Sequence, residues 1–358
     1  MAEKYVPALK AREAEIKALL RAPASLAVTP LFELQEASSG QVDPTTGVRK
    51  RSKGSATDAA YFVDDIARLW GEPLYVDISR VAGAGSRAPW WRLLDVLNSV
   101  APVPIEMMPV LVPDDGTPEH HAAAGLASVS GRAALRVEMT HARMRPGALS
   151  TAVRDVAAGV GVSQAAVDVI LDWGDALEVL SLDELERDTI AVIRALGAPR
   201  GDVITLGTPN SDGFVQVGDW NVVRREWWLW LRIRAAGYDA TFGDYALYPP
   251  TSPVPVSPKY GHLRYSSGDR LHVHRRAVPS TGGGLGGAFT ACCQHLVGQP
   301  HWLGPSFSGA DRRIDDIASN ADKESQAGKW RQLAAEHHIA LVANQLTGPL
   351  VAPPPGTL

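Results

Sequence analysis

Five short apolar runs in this chain end in a carboxylate: PLFE at Glu33, PLYVD at Asp77, LRVE at Glu138, VILD at Asp172 and TFGD at Asp244. Lys10 follows another such run, and Arg264 and Tyr265 lie in a later one, LRYSS. Carboxylates grouped with a few cations and a phenol suit three kinds of chemistry. They move protons as general acid and base, they hold a cationic or polar ligand, or they bind a hard divalent ion such as Mg or Mn through oxygen. All five acids are catalytic candidates, with Asp172 and Asp244 also candidate metal ligands; Lys10, Arg264 and Tyr265 are candidate ligand-binding groups. The pattern is equally compatible with solvation, because strand ends meet water and Asp or Glu there often caps the next helix. A structural ion-pair network is a further reading.

Other segments carry weaker signals. The polar stretch Ser38 to Ser55 concentrates Arg49, Lys50, Arg51 and Lys53, which suits contact with a phosphate or a nucleic-acid backbone, or a solvated loop. TGGGLGG fits G-x-G-x-x-G at Gly282, Gly284 and Gly287, but so many glycines match by chance and no P-loop Lys-Ser/Thr follows, so it reads as a flexible connection. His272 and His274 are two apart on a strand and share a face, with no third ligand at a defined spacing. His337 and His338 sit in a late helical stretch and point in different directions. Cys292 and Cys293, adjacent on an apolar helix, read as small core residues. No H-E-x-x-H, C-x-x-C or G-x-S-x-G occurs.

The elements that must position these groups follow one rhythm. Strands are predicted at Tyr5 to Leu9, Leu26 to Glu33, Pro73 to Ile78, Pro104 to Val112, Ala134 to Met139, Val167 to Asp172 and Asp202 to Leu206. Amphipathic helices are predicted between them at 11–20, 58–70, Trp90 to Val100, Leu149 to Val160 and Ser181 to Leu196, with the Trp-rich REWWLWLRIRAA after the last strand. Trp227 and Trp230 share one face of that helix and read as core. Strand–helix alternation without a linker favours an α/β fold, a TIM-like (β/α) barrel, whose strand carboxyl ends build the functional mouth. Either TFGD or a later strand closes it. A hairpin around Gly268 and Asp269 and further helices elaborate the C-terminal part. The organisation expected is a single domain over 1–346, with a flexible basic loop at 38–57, a hairpin and Gly-rich elaboration at 246–299, and a disordered Pro-rich tail at 347–358.

The 358 residues are 45% hydrophobic and 21% charged, which excludes wholesale disorder and supplies a core. No apolar stretch reaches the ~20 residues a membrane helix needs. The charged N-terminus and two adjacent cysteines suggest a reducing cytoplasm, and a net charge of -4 argues against a uniformly nucleic-acid-coating surface.

Taken in order, YVPALKAREAE, PLFEL, WGEPLYVD, VDVILDWG, REWWLWL, TFGDYALYPP, HLRYSSGDRLHVHRR, FTACCQHLV, WLGPSFSGADRRI and KWRQLAAEHHIALVANQL resemble the Beta protein family of phages, prophages and bacterial chromosomes. The resemblance spans nearly the whole chain. It implies a role beside phage-exclusion or anti-phage genes, with a partner encoded in the same locus, and supplies no catalytic residues. Its recurrent positions here are Glu33, Asp77, Asp172, Asp244, Arg264 and Tyr265; the basic run Arg49 to Lys53 and the long glycine run depart from it. Three functions are therefore expected in turn: a defence protein whose mouth binds a small or phosphorylated ligand or a partner, a metal-dependent phosphodiester hydrolase, and a nucleic-acid-binding accessory protein.

Overall fold

The computed structural model describes residues 3–22, 27–34, 70, 72–79, 107–113, 117–128, 130–198, 200–209, 216–248, 260–279 and 284–350. The helix expected at 58–70, apart from Trp70, the helix expected at Trp90 to Val100, the basic run Arg49 to Lys53, Gly282 and the tail from Val351 lie outside them.

Runs such as VDVILD are buried at every position, as befits strands covered on both faces. Eight largely buried strands close into a parallel barrel: β1 (Lys4–Lys10), β3 (Leu31–Glu33), β4 (Leu74–Asp77), β5 (Met107–Leu111), β6 (Ala133–Glu138), β7 (Val167–Asp172), β8 (Val203–Leu206) and β10 (Thr241–Asp244). TFGD is the closing strand, β10, which pairs with β1 so that Tyr5 stands opposite Phe242. The short β2 (Ala27–Val28) belongs with β3. Both pair with β1 in one continuous register, and the break falls at Pro30, which has no N–H for the ladder. The TIM-like barrel expected from the alternation is the fold observed.

Helices α1 (Glu13–Leu19), α2 (Pro118–Ala127), α3 (Leu149–Val160), α4 (Leu182–Leu196) and α5 (Arg225–Ala235) wrap the outside. Helix α4 starts at a capping box: the Glu184 amide donates to Ser181 Oγ at 3.3 Å, and the Ser181 amide donates to Glu184 Oε2 at 2.8 Å. Ser181→Ala is expected to cost about 1 kcal/mol, read as a lower urea midpoint at unchanged slope.

A strand absent from the sequence reading, β9 (Gly218–Val223), leaves the barrel rhythm between β8 and α5. It pairs with the expected hairpin of β11 (Tyr260–Ser267) and β12 (Arg270–Ala277) in a three-stranded antiparallel sheet. Gly268, at φ 53°, opens the two-residue turn, where a hairpin demands left-handed backbone. The expected Gly-rich connection is partly helix instead, because α6 (Gly284–Val297) already begins at Gly284. Helices α6, α7 (Gly309–Ala318) and α8 (Ala327–Thr347) cover this sheet around a core of Leu263, Tyr265, Phe289, Cys292, Ile314 and Trp330. Both cysteines are buried and free, and burial raises the Cys292 thiol to about 12, so neither is primed as a nucleophile. Helix α8 joins the two parts, with Leu333 in the sheet's core and Ile339 and Val342 in the barrel's outer core.

Candidate functional site

Side chains on a barrel strand alternate between the interior and the helix-covered outside. Val6, Ala8, Leu31, Tyr75, Met108, Val110, Ala134, Ile170 and Ile204 form the inner cluster, whereas Tyr5, Leu9, Phe32, Val76, Leu135, Leu171 and Phe242 belong to the outer one. Two residues beyond an inner residue is inner again. Lys10, Glu33, Asp77, Arg136 and Asp172 therefore all sit on the interior side, at the carboxyl ends of their strands.

Arg136 is the hub of this group. Its Nη2 lies 2.8 Å from Glu33 Oε1 and 2.7 Å from Asp172 Oδ2, its Nε donates to Asp172 Oδ2 at 3.0 Å, and its Nη1 donates to Asp77 Oδ2. Tyr245, just past β10, accepts from Arg136 Nη2 at 2.5 Å and donates its hydroxyl to Asp172 at 2.7 Å. All of these residues are buried. Burial by itself disfavours the guanidinium charge, but Tyr245 and the carboxylates of Asp172, Glu33 and Asp77 hold the Arg136 pKa well above its ordinary value. Burial likewise raises Tyr245, so its hydroxyl stays protonated as a donor.

A cavity of about 600 Å³ opens over this network, with Arg136, Asp172 and Tyr245 in its floor and Glu138, His141 and Arg145 among the groups around it. The donor set does not fit a divalent metal ion. Asp77 Oδ1 takes the Ser79 amide at 2.8 Å and Asp172 Oδ1 takes the Gly174 amide at 2.8 Å, while their other oxygens face Arg136. The guanidinium thus stands among the three carboxylates where Mg or Mn would have to stand.

Asp244 is placed elsewhere. It follows Phe242 on the outer side of β10, so it points away from the mouth and from Asp172, and the two do not form the expected metal pair. Its Oδ1 accepts from the Tyr5 hydroxyl at 2.7 Å and the Ala246 amide at 2.9 Å, and its Oδ2 lies 2.6 Å from His338 Nε2. The other ring nitrogen of His338 is 2.8 Å from Ser266 Oγ. Burial lowers the His338 pKa against the pull of Asp244, so the ring is neutral, with Nε2–H donating to Asp244 and Nδ1 accepting from Ser266. Serine, histidine and aspartate in series suggest nucleophilic catalysis, but the ring is reversed relative to a hydrolytic triad, where Nε2 faces the serine. Ser266 is also 0% exposed, with no access for a substrate. Nearby, Arg224 holds Glu226 at 3.1 Å, and burial raises the Glu226 carboxyl to about 7.

The remaining predicted residues are dispersed. Glu138 is exposed at the cavity rim, where it accepts from Thr140 at 2.7 Å. Lys10 is buried, and burial, partly opposed by Glu15, pulls its ammonium down to about 8. Arg264 donates to the Leu247 carbonyl at 2.7 Å and lies over the Tyr248 ring. Tyr265, on the opposite face of β11, stacks on His337 at 3.8 Å and donates to Asp311 at 2.9 Å in the core of the small sheet. Neither Arg264 nor Tyr265 lines the mouth cavity.

Sequence reasoning therefore missed Arg136 and Tyr245, and it named His338 without its partners. For Arg136 a signal was present: a lone arginine inside the apolar run AALRVE, where a fully buried charge requires partners. His338 has no such local mark, because its partner is 94 positions away. Among the described residues, no helix is long and apolar enough to cross a membrane. A family model described as Beta protein matches residues 5–344. No curated protein matches the sequence.

Proposed function

Because the chain belongs to the Beta protein family, matched over nearly its whole length, we propose that it acts in phage exclusion or anti-phage defence. In this reading its barrel mouth binds a small or phosphorylated ligand and does not turn it over rapidly. The observation that carries the binding half is the cavity itself. Above a floor that Arg136 holds fixed, Glu138 at the rim can meet ligand hydroxyl or amine groups, whereas Arg145 at the edge offers a cation, and His141 a hydrogen bond, to an anionic group. Slow or absent turnover follows from the chemistry of the floor: its acids are committed to Arg136, and the series containing Ser266 is sealed. A cytoplasmic location and a partner encoded in the same defence locus complete the reading.

Arg145 is exposed, so replacing it should leave the fold intact. Arg145→Ala is expected to restore phage plating to the level of a gene deletion, with wild-type thermal stability. Native mass spectrometry of wild-type protein purified from its host should show a phosphorylated small molecule that the variant lacks. Unchanged plaque counts on deletion, over a broad phage panel, would remove the defence role. A wild-type chain that carries nothing and binds no nucleotide or sugar phosphate would remove the ligand.

A further inference from the structure

Far along the chain from the mouth residues, the small sheet gathers histidines that the proposed binding role does not use. Asp219 of β9 and His274 of β12 are direct cross-strand partners, and α6 packs over them and brings His295 alongside. His274 Nδ1 is 2.7 Å from Asp219 Oδ1, and His295 Nε2 is 3.4 Å from Asp219 Oδ2. One ligand atom from each of the three residues lies within 4.8 Å of the others. Ligands of a tetrahedral zinc ion, at bond lengths of ~2.1 Å, stand about 3.4 Å apart. The hydrogen-bonded Asp219–His274 pair has to open from 2.7 Å and His295 to close on it, small adjustments for Asp219 and His295 at 44% and 33% side-chain exposure.

A second observation points the same way. Among the described residues, His274 Nε2 and His301 Nε2 are both buried and find no hydrogen-bond partner. His301 stacks on His272 at 3.6 Å and lies parallel to His274 at 5.6 Å, so four imidazoles share this corner.

We propose that Asp219, His274 and His295 form a binding site for a divalent transition-metal ion, with zinc the best match to two imidazoles and a carboxylate. Three protein ligands leave a fourth position open to water or substrate. The ligands sit on a hydrogen-bonded strand pair and a helix that Cys292 ties to the His274 carbonyl, a rigid mounting for such a site. Arg276 is the opposing influence. Its Nη2 lies 2.9 Å from Asp219 Oδ1 and competes with the ion for that carboxylate.

Equilibrium dialysis of the untagged full chain against Zn²⁺, with Co²⁺ absorption spectra as an independent readout, tests the site. One ion per chain is expected. Affinity should fall at least about tenfold in His295→Ala and Asp219→Asn, rise in Arg276→Gln, and stay unchanged in His121→Ala on α2. His295 is partly exposed, so circular dichroism should show its variant folded. Absence of zinc binding by the wild type, or equal binding by wild type and His295→Ala, overturns the proposal.

Discussion

Arg136→Met is expected to destabilise the chain by about 3–5 kcal/mol, enough to leave much of it unfolded when domains of this kind have only ~5–15 kcal/mol in hand. The arginine is the shared cation of Glu33, Asp77 and Asp172 at the interior end of the barrel. Removing it leaves three carboxylates close together in a region too dry to screen them, and Asp77 and Asp172 lose hydrogen bonds that water does not replace. The penalty comes from the stranded charges and not from lost packing, since methionine nearly conserves the volume. The compensated variant Glu33→Gln/Asp77→Asn/Asp172→Asn on the Arg136→Met background should therefore recover most of the loss. Urea midpoints of the four-fold and single variants measure both. A single variant within ~0.5 kcal/mol of wild type, the range of an ordinary surface change, would mean that Arg136 does not organise the mouth.

Asp244→Ala should cost about 3 kcal/mol, by stranding the Tyr5 hydroxyl, the His338 ring and the Ala246 amide on the outer side of the barrel's closing strand. Asp244→Asn separates charge from shape. Burial acts to raise the Asp244 carboxyl, but His338, Arg224 and the Tyr5 hydrogen bond outweigh it and hold it below its ordinary value. A carboxyl depressed in the fold contributes stability that is present above its unfolded value of ~3.9 and lost as the pH falls through the folded value. Wild-type stability should thus drop more steeply than that of Asp244→Asn below about pH 4. Glu226 acts in the opposite sense. Raised to about 7 by burial, it takes up a proton in the fold before the unfolded chain does, so its destabilising charge is relieved as the pH falls toward ~4.3. Glu226→Gln should remove that neutral-range slope while leaving the acid limb in place. Chemical unfolding at a series of pH values resolves the two.

Much of the barrel was legible because apolar runs of strand length alternate with amphipathic helices, and that period depends only on neighbouring residues. Strand β9 was not. GDWNVV alternates between partly buried and exposed residues, so it lacks the continuous apolar run that marks the barrel strands. Its pairing with β12, 47 to 57 positions away, marks it only in three dimensions. The site was legible in part. Strand-end acids stood out, and Arg136 was marked by its apolar surroundings, whereas Tyr245, His338 and the group of Asp219, His274 and His295 depend on contacts between distant segments.

Local order in the chain thus determined the fold class, the strands that carry the chemistry and the end of each strand at which acids gather. The side of the barrel wall that each acid faces was decided by tertiary structure. Asp172 and Asp244 bear the same signature, an apolar run closed by a carboxylate, yet one meets Arg136 inside the barrel and the other meets His338 outside it. A strand in a half-exposed sheet reveals its facing through polar alternation. A barrel strand is apolar on both faces, because side chains fill the interior and helices cover the exterior, so its sequence is silent about which face is which. The register of β10 on β1, which sets Tyr5 opposite Phe242 and Pro7 opposite Asp244, puts Asp244 on the outer side, where His338 meets it.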